Sequence, residues 1–168
     1  MTFKNHLPQQ MKNSTKRDFL LNEFPFFLKN LSPNSESQFG LMTPQHMVEH
    51  LVWVIKSSAK KYEGERENPP SKRHLGFQKF IQNGAILEHK PSDKTALDLP
   101  ALRYGSLEGA IALIPEAAQR FYNFWDANPE YIPYGDFIGE MPFEDLELFH
   151  YNHVRFHLWQ FGLMEVYP

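Results

Sequence analysis

Apolar residues recur at helical spacing along most of this chain. In "KRDFLLNEFPFFLKNLSP", Leu20, Phe24, Phe27 and Leu31 fall on one face, and Leu21 and Leu28 widen it. Pro25 predicts a kink or interruption and Pro33 an end. "TPQHMVEHLVWVIKSSAKKY" opens with Thr43 as a cap and Pro44 at the first helical position, which predicts a helix over residues 43–61. The charged stretch "EGERENPPSKRH" reads as a loop, and "LGFQKFIQNGA" as a short helix ending near Gly84. Residues 86–105 look irregular, with prolines at 91 and 100, and a connection of that length often serves a pocket. "SLEGAIALIPEAAQRFYNFWDANP" predicts a long helix disturbed at Pro115, with Ile114, Ala118, Phe121 and Trp125 as its buried stripe. After a loop at "EYIPYGDFIGEM", the last helix runs through "PFEDLELFHYNHVRFHLWQFGLM". Pro142 and the acids at 144, 145 and 147 favour its N-terminal end, and Gly162 its stop.

Four substantial helical segments, one short one, no strand pair and no repeat predict an all-α fold. The expected architecture is an antiparallel four-helix bundle with a short extra helix and long loops. Residues 1–15 read as a flexible N-terminal arm and 16–168 as a single domain.

A chain of 168 residues with 42% hydrophobic residues can bury one core. Its net charge of −3 argues against a nucleic-acid partner, because phosphate backbones reward a basic surface. No run approaches the ~20 apolar residues of a membrane span, and the N-terminus lacks a signal-peptide core, so no membrane partner and a cytoplasmic location are expected. There is no cysteine, which removes disulfides, thiolate metal sites and cysteine nucleophiles. Any metal must be held by nitrogen and oxygen.

That restriction bears on "HYNHVRFHLWQFG". With about 100° per residue, and His153 set at zero, His157 falls at roughly 40° and His150 at roughly 60°. The histidines therefore occupy the apolar face. In "HMVEHLVWV" the pattern repeats: His50 points to the buried face, flanked by Met47, Val54 and Trp53, with His46 at its near edge. Glu49 falls about 100° away and reads as lateral or exposed. Two imidazoles four apart on one helix can share an ion, and a third from a facing helix completes a three-nitrogen site with open positions. His50, His153 and His157 fit this plan. A lone core histidine is usually a packing residue, but several uncharged imidazoles buried without partners would each cost a few kcal/mol, on the order of ordinary buried polar groups. His6 and His89 sit in predicted loops, and His74, beside Lys72 and Arg73, is expected at the surface. His46, His150, Tyr151 and Gln160 are candidates for supporting or pocket positions.

The pair "FGLMTPQHMVEHL" and "YNHVRFHLWQFGL" resembles the DinB-like, YfiT-like superfamily of metal-binding four-helix bundles, and within it an uncharacterised branch. The resemblance spans residues 16–164, with Phe39 where the branch often has tryptophan and Phe156 where it often has histidine. It implies His50, His153 and His157 as ligands of a divalent nickel, zinc or iron ion, and a homodimer. It also implies a small-molecule substrate or a low-molecular-weight thiol as partner. The expected function is a metal-dependent enzyme activating water or a thiol for hydrolysis or thiol transfer. The alternative is a non-catalytic, metal-stabilised module whose ion is closed off by a fourth protein ligand such as His46 or His150.

Overall fold

The computed structural model describes residues 15–90 and 93–168. Most of the expected N-terminal arm, with His6, and Pro91 in the long connection lie outside them.

The described chain is mostly helical. α1 covers residues 16–30 and changes pitch on the way: an α turn at Lys16–Asp18, a π turn at Phe19–Glu23, an α turn at Phe24–Phe27 and a 3₁₀ turn at Leu28–Asn30. Thr15 caps it by accepting from the Asp18 N–H. Pro25 does not break this helix. The wider π turn before it accommodates a residue with no N–H and a ring that crowds the preceding turn. Leu20, Phe24, Phe27 and Leu31 are all buried, as the spacing predicts.

α2 is Pro44–Ser57, capped by the Thr43 hydroxyl. It stops before the expected Lys61, where the hydroxyls of Ser57 and Ser58 turn back onto the carbonyls of Val54 and Ile55. α3, Lys72–Gln82, starts earlier than the sequence suggests because Ser71 caps it. The expected long helix is two: α4, Leu107–Ile111, and α5, Ile114–Asp126, divided at Pro115, which takes a first-turn position in α5. α6, Phe143–Gln160, ends before Gly162, whose φ of +65° suits glycine. One element was not foreseen. Tyr134–Gly135 (β1) and Gly139–Glu140 (β2) form a small antiparallel hairpin in register Tyr134↔Glu140. Strands of two residues are too short to show an alternating pattern.

α2 is central. It packs on α4 and α5 and also meets α6, while α1 lies against α5 and α6. Met47, Leu51, Ile114, Phe121, Leu146 and Leu158 fill the space between them. His74 is buried, against expectation: α3 lies against the hairpin strand β2, and the His74 Nε2–H donates to the Asp136 carbonyl at 2.9 Å. No helix among the described residues is long and apolar enough to cross a membrane.

Candidate metal centre

α6 and α2 bring His50, His153 and His157 together. His153 and His157 stand one turn apart on α6, and His50 faces them from α2. Nε2 of His153 lies 3.1 Å from Nε2 of His50 and 3.1 Å from Nε2 of His157. One ligand atom from each residue lies within 4.8 Å of the others, so the three can bind one metal ion. His153 and His157 are buried and His50 is half-buried at the rim, rather than inside its helix's buried face.

The electrostatics keep all three neutral. Burial, helped by His157, His50 and His150, holds His153 well below the ordinary imidazole range. Burial and then His50 push His157 down to about 4, against a smaller opposing pull from its bond to Gln160. Burial lowers His50 as well. Neutral imidazole is the ligating form.

Gln160 fixes which nitrogen of His157 is free. Its side-chain Nε2 donates to the Phe39 carbonyl at 2.8 Å, which leaves Oε1 to face His157 Nδ1 at 2.8 Å. That oxygen only accepts, so Nδ1 carries the hydrogen and Nε2 presents a bare lone pair to the cluster. The Gln160 backbone carbonyl also accepts from the Gln38 N–H at 2.8 Å. Gly40 makes this approach possible: its φ is +78°, and a Cβ there would sit 2.9 Å from Gln160 Nε2.

The residues present fit a cation better than they fit one another. With His157 Nε2 bare, a hydrogen on His153 Nε2 can serve one of its two neighbours well but not both, and a bare His153 Nε2 would face His157 lone pair to lone pair. His153 Nδ1, buried, has no partner among the described residues in either case. Metal–nitrogen bonds of about 2.0–2.1 Å in tetrahedral geometry separate ligand nitrogens by about 3.3 Å, close to the 3.1 Å found for two of the three pairs.

The other candidates separate. His46 is a tether: the Thr43 hydroxyl lies 2.7 Å from its Nδ1, and its Nε2–H donates to the Pro100 carbonyl at 3.1 Å. His150 Nε2 meets the Ser58 hydroxyl at 2.8 Å on the far side of His153, and burial holds His150 at about 3. Its Nδ1 has no partner among the described residues, but the close three-ligand group does not include it. Tyr151 is not at the site. It lies on the other side of α6, edge-on to Phe19 and beneath Arg155. His89 is exposed, as expected, and packs over Phe39.

Glu49 corrects the sequence reading most clearly. It is buried, and its carboxylate accepts from the N–H groups of Arg103 at 2.7 Å and Tyr104 at 3.1 Å and from the Gln45 amide at 3.0 Å. Burial pushes it up, yet these bonds leave it below the ordinary carboxylate range. Gln45 also donates to the Tyr104 carbonyl. One turn of α2 thus straps residues 99–104 across the histidines. Beside His50 the strap borders an open cavity of about 270 Å³ lined by Met42, Trp53, Leu99, Pro100 and Arg103. A second cavity, of about 680 Å³, reaches His157 and Gln160 on the other side of Leu99 and Pro100. The only sequence signal for the strap was the length of the connection.

No family model matches the chain, and neither a curated protein nor a solved structure does.

Proposed function

We propose that this protein is a metal-dependent enzyme of the DinB-like superfamily, an antiparallel four-helix bundle formed by α1, α2, α5 and α6. His50, His153 and His157 hold its divalent ion, of the nickel, zinc or iron type. The reading rests on one observation: three neutral imidazoles from two helices direct Nε2 atoms at a common point that their own protons cannot satisfy.

An ion bound by three protein nitrogens with an open position supplies Lewis acidity, which lowers the pKa of a water or thiol and suits hydrolysis or thiol transfer. The chain's own residues do the rest. Gln160 holds His157 in the ligating tautomer. Glu49, Gln45 and His46 fix the strap, so that Leu99 and Pro100 restrict water near the histidines. His46 is engaged at both nitrogens and His150 lies outside the close three-ligand group, which favours an open coordination position over the closed, purely structural site of the alternative reading.

The test is metal analysis of the purified protein beside His50→Ala and His153→Ala. Stoichiometric metal in the parent and its loss from both variants is expected. Metal content unchanged in the variants would overturn the assignment.

A further inference from the structure

The free chemistry of the cavity beside His50 is specific. Its walls are apolar at Met42, Leu99, Pro100 and Ala101. Trp53 forms part of the lining and is 51% exposed, and no aromatic ring stacks on it among the described residues. An indole face left open in a concave apolar wall suits a planar ring. The volume, about 270 Å³, fits one ring with a short arm, since a cavity of about 150 Å³ accommodates benzene.

The polar groups select the arm. Glu49 is the only acid in the lining among the described residues, and both its oxygens are occupied by N–H donors. Both His46 nitrogens are occupied too. Arg103 remains: it is exposed at the cavity, its backbone N–H bonds Glu49, and its guanidinium has no hydrogen-bond or ion-pair partner among the described residues. A guanidinium is matched by a carboxylate, which it can grip through two parallel hydrogen bonds. At the other end the cavity meets His50, one of the three candidate ligands.

We propose that this cavity is the binding site for a single-ring aromatic carboxylate, with its ring on Trp53, its carboxylate on Arg103 and its opposite end toward His50. This names the substrate class of the proposed metal centre and rests on that reading for what happens at the ion, but the binding itself needs no metal.

The experiment uses the full chain, stripped of metal by a chelator and held at pH 8 so that the histidines are neutral. Calorimetric titration compares phenylacetate, 2-phenylethanol and 2-phenylethylammonium on the parent, Arg103→Gln and Trp53→Ala, each verified as folded by circular dichroism and thermal unfolding. Phenylacetate should bind saturably and about tenfold more tightly than the alcohol, as expected of one charge-assisted pair. Arg103→Gln should bring phenylacetate to the level of the alcohol and leave the alcohol unchanged. Trp53→Ala should weaken both by roughly three- to tenfold. No saturable binding, equal affinity for all three probes, preference for the ammonium through the indole face, or indifference to Arg103→Gln would each overturn the proposal. Metal content is measured separately: a chain that holds metal through His50 yet ignores phenylacetate keeps the metal centre and loses this inference, and the reverse result does the opposite.

Discussion

Replacing Gln160 with leucine separates the proposed orientation of a metal ligand by this side chain from its packing role. Leucine has a similar volume but offers no acceptor to His157 Nδ1–H and no donor to the Phe39 carbonyl. Both bonds are 2.8 Å long and Gln160 is only 4% exposed; the bond to His157 is buried, while the Phe39 carbonyl is part-buried beside the larger cavity, where water can partly take the place of the amide. Leaving a buried polar group unpaired costs about 1–3 kcal/mol, so the lost His157 bond alone should remove about that much from the metal-free protein, and the two together up to about 6 kcal/mol. The second consequence is specific to the site. Without an acceptor at Nδ1, the His157 hydrogen is free to move to Nε2, where it occupies the lone pair that faces the cluster. Loss of such an orienting partner typically lowers metal affinity by about 10–100-fold, or about 1.4–2.7 kcal/mol. Chelator competition with zinc or nickel measures the affinity, and urea unfolding of the metal-free chain measures the stability. Gln160→Glu is the comparison. It keeps an acceptor for His157 but sets a carboxylate against the Phe39 carbonyl, so it should lose stability while holding metal more tightly than the leucine variant. A leucine variant that binds metal like the parent would refute the tautomer argument, whatever its stability.

Three further outcomes follow from the same geometry. Gly40→Ala should destabilise the protein by about 1–2 kcal/mol through left-handed backbone strain, and its clash with Gln160 Nε2 should weaken metal binding in the same competition assay. Glu49→Gln should loosen the strap, since a neutral amide has one acceptor for three donors; limited proteolysis should cut within residues 99–104 faster than in the parent, and an unchanged cleavage pattern would show that the strap is held by packing. His150 has an unfolded-state value of 6.5 and a native value of about 3, so only the unfolded chain takes up its proton between them. Its contribution is therefore complete above about pH 6.5 and falls as pH drops toward about 3, by about 1.4 kcal/mol per pH unit. In His150→Gln, which keeps a donor for Ser58, acid unfolding of the metal-free chain should be shallower by one proton.

The three clustered histidines were legible because each sits on a helix that the apolar spacing already marked, and angles around a helix axis follow from residue number alone. The same arithmetic misplaced Glu49. Its angle is correct, but a helical wheel does not show what crosses a polar stripe, and here the strap covers it. His74 failed for a related reason: charged neighbours suggested a wet surface, while burial came from a hairpin some sixty residues away in the chain. Tyr151 shows the limit of motif proximity. It sits two residues from His153, which puts it on the opposite side of α6, where it packs against α1. α6 is buried around much of its circumference, with Asn152, His153, Val154 and Phe156 all covered, so its sequence gave little contrast between a wet and a dry face.

His50 and His153 are 103 positions apart in the chain and 3.1 Å apart in space. Their partner pair on α6 is local and exists as soon as that one helix forms. The third imidazole arrives when α2 docks on α6, a long-range closure across about a hundred residues. A collapsed but misassembled chain would offer a two-nitrogen half-site of much weaker affinity. Tight ion uptake during refolding would therefore time the docking of α2 on α6, without any label attached to the protein.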